Sequence, residues 1–123
     1  MIESILETIK RMLAIPEGVD NFDAEIIPLI NLAINTLFQL GLGPAGTSFR
    51  ITGSDETWDD YIGDDTRLEM VKDYIYMKVK ILWDSQTMSG AVIEVYKDQI
   101  KELESRVSYQ VEPGHAFDRE EDE

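Results

Sequence analysis

Residues 66–83 carry apolar side chains on two helical stripes at once. Leu68, Val71, Ile75, Val79 and Leu82 make one stripe, and Met70, Tyr74, Met77 and Ile81 make a second. Glu69, Lys72, Asp73, Tyr76 and Lys80 leave only a narrow polar remainder. Both stripes follow the 3.6-residue period of an α-helix. Such a helix must be covered on two sides, because apolar surface left in water costs roughly 25 cal/mol per Å². In a chain of 123 residues, it is therefore either the central helix of a small bundle or a helix at a contact between copies. Thr66 and Glu69 have the spacing of a capping box at its start.

Three other segments keep the same period. Residues 2–14 place Ile2, Ile5, Leu6, Ile9, Met12 and Leu13 on one face, with Ser4 and Glu7 as a capping pair. A second helix runs from Asp23, its expected N-cap, to Gln39 or Leu40; Ile26, Ile30, Ala33, Leu37 and Leu40 form its stripe. Pro28 removes one hydrogen bond and predicts a bend rather than a break. Asn31, Asn35 and Gln39 fall at i, i+4 and i+8. They read as a solvent-facing edge, or as a subunit contact in which amides fix register. Residues 89–107 form a last helix with a single stripe: Val92, Ile93, Tyr96, Ile100, Leu103 and Val107. The apolar period then stops. Residues 1–107 thus read as one helical domain and 108–123 as a disordered acidic tail. The expected fold is all-α, a small bundle of about four helices with a long loop, residues 41–65, between the second and third. Within the loop, "SFRIT" reads as briefly extended, "TWDDYIG" as one helical turn, and Trp58 as an anchor for the loop.

Charge is unevenly placed. The formal net charge is −14, yet Asp55, Glu56, Asp59, Asp60, Asp64 and Asp65 crowd residues 54–65 of the loop without a base, and six more acids sit in residues 112–123. The remainder is close to neutral. Without clustered Lys and Arg, nucleic acid is not bound through its phosphates. The chain has no cysteine and one histidine, His115, which excludes disulfides, thiolate chemistry and multi-histidine zinc sites. Aligning Gly63 with the glycine of a calcium-binding helix–loop–helix puts Trp58 and Ile62 at ligand positions, so that motif fails. A paired-carboxylate hydrolase would need a cleft that four short helices barely allow. The stretch "GLGPAG" matches G-x-G-x-x-G, but a helix precedes it where a dinucleotide loop needs a strand. Gly41 instead reads as the left-handed residue that ends the second helix, and Pro44 as the block to its continuation. No cofactor, metal or catalytic centre is expected. The start lacks a secretory pattern, and residues 26–42 carry too many polar breaks to span a membrane; a soluble, intracellular protein is expected.

Three stretches together, "FDAEIIPLINLAINTLFQLGLGP" (22–44), "TWDD" (57–60) and "LEMVKDYIYMKVKILWD" (68–84), resemble the head–tail connector proteins of tailed bacteriophages, also called adaptor or head-completion proteins. The resemblance spans about residues 5–107. It implies a virion protein, present in the host cytoplasm during assembly. Copies would form a ring, typically of twelve, under the portal, extending the DNA channel and docking a tail-side stopper or tail-completion protein. DNA would pass through without specific binding. Candidates for the subunit or portal contact are Asn31, Asn35, Gln39, Met70, Tyr74, Met77 and Ile81. The six loop acids are candidates for the channel or a partner, and Glu112, Phe117, Asp118, Glu120 and Glu121 for portal binding. One departure stands out: "SQTMSG" follows Asp84 where relatives often carry a proline pair, which leaves the turn into the last helix open. Two other readings of the composition are a monomeric acidic module that masks a basic partner, as a DNA mimic does, and a metal-dependent enzyme using the acidic loop.

Overall fold

The computed structural model describes residues 3–42, 49–63 and 67–111, with side chains as far as Val107. They form α1 (Ile5–Met12), α2 (Asp23–Gln39), the one-turn α3 (Trp58–Ile62), α4 (Leu68–Asp84) and α5 (Gly90–Val111); a 3-10 turn, Ser85–Thr87, joins the last two. The fold is all-α, and the turn foreseen in the loop is α3. Among the described residues the extended pairing is limited to an isolated bridge between Ser4 and Thr57; "SFRIT" makes no strand where it is described.

The doubly striped helix is α4, and it is the middle of the bundle, packed against α1, α2 and α5. Its buried residues Val71, Tyr74, Ile75 and Val79 share one core with Ile26, Ile30, Ala33, Ile34 and Leu37 of α2 and Ile5, Leu6 and Ile9 of α1. The stripes do not survive as drawn. Tyr74 is fully buried, Met70, Met77 and Ile81 are half-buried flanks, and Leu82 is exposed at the helix end.

Two helices end by the same device. At α2 the Gly41 N–H bonds the Phe38 carbonyl and the Leu42 N–H bonds the Leu37 carbonyl, with Gly41 at φ 102°. This is a Schellman motif, and its apolar contact is made by the buried pair Leu37 and Leu42. The expected cap is therefore present. Gly43, Pro44 and Gly46 lie outside the described residues. At α1 the same bonds run from Ala14 to Arg11 and from Ile15 to Lys10, with Ala14 at φ 65°. A non-glycine residue holds the left-handed position there.

Helix starts differ from the expectation. Ser4 caps α1 by accepting the Glu7 N–H at 3.2 Å, but the Glu7 carboxylate lies 3.8 Å from Lys10. Asp23 is not the cap of α2 but its first residue, following Phe22. Its carboxylate meets Lys10 at 2.9 Å, and that nearly buried ammonium requires a counter-charge. α4 begins after Arg67 without a side-chain cap; Thr66 lies outside the described residues. α5 continues to Val111, beyond the last apolar repeat at Val107. Nothing in Ser108, Tyr109 or Gln110 breaks a helix, and Glu112 precedes Pro113, a position that disfavours helical backbone.

Candidate interaction surfaces

The acidic loop is a strap rather than a free coil where it is described. Asn31 holds it from α2: its side-chain amide donates to the Ile51 carbonyl at 2.9 Å, and its oxygen accepts the Ile51 N–H at 2.7 Å. Ile51 itself is fully buried. α1 holds the other end. The Ile5 N–H donates to the Glu56 carbonyl, and the Trp58 N–H to the Glu3 carbonyl. The Trp58 indole N–H donates to the Thr8 hydroxyl at 2.9 Å. Between these points Phe49 stacks on Tyr61, ring centres 5.0 Å apart. Thr57 and Asp60 form a reciprocal capping box at the start of α3. Trp58 is thus the anchor its place among the acids suggested.

The acids of the strap have different uses. Glu56 accepts from the Thr52 hydroxyl at 2.8 Å and the Gly53 N–H at 3.3 Å. Burial works upward on its carboxyl, but these bonds outweigh it and hold it below the ordinary range. Asp60 closes the capping box through the Thr57 N–H. The carboxylates of Asp55 and Asp59 are exposed and make no bond among the described residues. Asp64 and Asp65 lie outside the described residues, as do the tail candidates Glu112, Phe117, Asp118, Glu120 and Glu121.

The polar line on α2 divides in the same way. Asn31 bonds the chain's own strap and is not an open edge; Asn35 and Gln39 are exposed. Periodicity within α2 carries no sign of a partner twenty residues downstream. Other residues behind the resemblance also have internal work. Phe22 packs edge-on against Trp83, ring centres 5.5 Å apart, and the Trp83 N–H donates to Glu25 at 3.4 Å. Asp84, at the end of α4, pairs with Lys80 at 2.9 Å.

The surface with most unfinished burial is the seam between α4 and α5. Along the described side chains of α5 only Ile100 and Val107 are buried; Val92 is 43% and Val95 57% exposed, and Leu82 on α4 is 50% exposed. The contact candidates named from the sequence lie on the second and third helices instead, where Leu32 of α2 is 49% exposed. Most of α4 is covered, however, because the bundle closes around it, whereas α5 packs on α4 alone among the elements it meets broadly. The seam is tied by Tyr74, whose hydroxyl donates to Glu104 at 2.8 Å. Burial, and then the Glu104 carboxylate, push the Tyr74 phenol well above its ordinary pKa. Lys78 sits over the Tyr74 ring, 5.9 Å from its centre, and 4.0 Å from Glu104.

A groove runs on each flank of the seam. One, of about 320 Å³, has Ile81, Leu82 and Ile100 as its apolar surface and Lys78, Lys97 and Lys101 with Glu104 around it. The other, of about 520 Å³, is lined by Tyr76, Met77, Val95, Tyr96 and Leu103, with Asp73 and Arg106 nearly balanced. The candidates Met77 and Ile81 therefore line opposite grooves, while Tyr74 is the core residue between them. The i,i+4 spacing of Lys97 and Lys101 puts both on one flank of α5, but charge and periodicity gave no hint that Lys78 of α4 joins them.

Among the described residues no three His, Asp or Glu side chains converge as a metal ion requires, and no helix is long and apolar enough to cross a membrane. No curated protein and no solved structure matches the chain. The sequence profile of one family, described as phage connector protein, matches residues 5–114.

Proposed function

The chain belongs to the phage connector protein family, and from that premise we propose that its copies assemble as a ring on the portal, joining the filled head to the tail and lengthening the DNA channel. It is a structural component of the phage particle. The observation that best supports the ring is the half-exposed apolar seam, Leu82, Val92 and Val95, since side-by-side copies would remove that surface from water. Twelve copies, a tail-side stopper or tail-completion protein as the next neighbour, and DNA passing without specific contact complete the reading.

Asp55 and Asp59, exposed on the strap, suit a wall that repels phosphate. Screening limits this effect to about 8 Å at physiological salt, so the strap must line the channel closely to act. The acidic segment 112–123 is the part we assign to the portal. No step of this role needs catalysis or a cofactor.

The test is electron microscopy of the protein mixed with portal particles. Rings seated on the portal, lost in a Leu82→Asp/Val95→Asp variant whose helical content and Tm are retained, are the expected result. Attachment equal to wild type in that variant would remove the seam from the interface. A wild-type protein that ignores portal particles, and instead grips a basic DNA-binding protein, would replace the ring with the DNA-mimic role.

A further inference from the structure

We propose that the lysine-bordered groove between α4 and α5 is the seat of the chain's own acidic C-terminal segment, residues 112–123, folded back along α5 in the isolated protein. The inference rests on charge and reach within one chain and not on the ring reading.

The groove is unusual for this molecule. Acids outnumber bases 25 to 11 in the sequence, yet three lysines border a single apolar floor. Lys97 and Lys101 are exposed and have no ion-pair partner among the described residues. Lys78 has only Glu104, at 4.0 Å. The groove on the other flank offers no such excess of positive charge. Lysine stems cover apolar surface while their ammonium groups stay available, so this flank fits a segment with an apolar anchor followed by acids.

The sequence beyond α5 has that composition. Phe117 is followed by Asp118, Glu120, Glu121, Asp122 and Glu123, with Arg119 the one base. Pro113–Gly114, directly after α5 ends at Val111, is a turn dipeptide that reverses a chain. Reach agrees. Lys97 lies about 21 Å back along the helix from Val111 at 1.5 Å per residue. The nine residues after Gly114 span about 30 Å when extended. A reversed segment therefore carries its acids past Lys101 and Lys97, with Phe117 nearer the Glu104 end.

The chain has no native cysteine, so a nitroxide on Glu121→Cys is a clean probe in the full-length protein. We expect amide signals of residues 97–104 to fall at least about twofold against the diamagnetic control at low salt, and to recover near 1 M salt, where screening reaches about 3 Å. Lys97→Glu/Lys101→Glu should abolish the broadening while the amide signals of the α1–α2 core stay in place. Absence of broadening at low salt overturns the proposal. Broadening that appears only when isotope-labelled protein is mixed with separate spin-labelled protein also overturns it, because the occupant is then the tail of a second copy.

Discussion

Asn31 shows how a single side chain can read as surface and serve as structure. Both of its bonds go to the backbone of Ile51, whose side chain is fully buried. Asn31→Ala strands an N–H and a carbonyl at once, so we expect a loss of about 2–3 kcal/mol, measured by urea unfolding. Exposed Gln39, its neighbour in the same line, should change stability by less than about 0.5 kcal/mol on truncation to Ala. Ala14 sits at φ 65°, which costs an L-residue energy that glycine avoids; Ala14→Gly should stabilise by about 0.5–1 kcal/mol, seen as a higher Tm. Glu56 sets a pH dependence. Its folded pKa lies below the ordinary value of 4.5, so just below that value the unfolded chain binds more protons than the folded one. Its contribution is then complete above 4.5 and is lost as pH falls through the depressed folded value. Glu56→Gln should flatten this part of the acid limb in a stability–pH profile. Gly41 was legible beforehand because a helix end is written locally. Asn31 and Ala14 were not: one has a distant partner, and the other is a residue whose usual conformation is elsewhere.

At the scale of elements, α4 and α5 mark the two extremes of burial. Periodicity identified both, and for α4 two stripes demanded cover on two sides, from the bundle or from a second copy; the bundle supplies it. For α5 a single stripe said which face turns inward but not how little of it is covered. That depends on how many elements meet it, which a pattern within one helix does not contain. The Tyr74–Glu104 bond carries much of this contact. Tyr74→Phe removes a hydrogen bond to a charged group, for an expected cost of about 1.5–3 kcal/mol, with amide exchange rising in α5 more than in α2. Tyr74→Ala also empties a fully buried site and should cost about 3–5 kcal/mol. Similar exchange increases in α5 and α2 would mean that the bond does not belong specifically to the seam. The bonds that fasten the strap to α1 and α2 join residues far apart in the sequence, which is why the loop looked solvated in the sequence and proves stitched down where it is described.

For the molecule as a whole, composition and period carried the all-α class, and the order of the quoted motifs carried the family. They did not carry the location of the sticky surface, because exposure is a property of the assembled bundle. Removing residues 112–123 should leave helical content and Tm near wild type while weakening attachment to portal particles in sedimentation or electron microscopy. Full attachment without them would take the acidic segment out of assembly. The strap also bears on how the chain comes into being. Trp58 meets Thr8 across fifty positions, and α1, at eight residues, is too short to persist in water unaided. At roughly 5–20 residues per second on the ribosome, the first helix waits several seconds for the tryptophan that secures it, and longer for α4. α1 thus leaves the ribosome well before the segments that secure it, and settles only once they have followed.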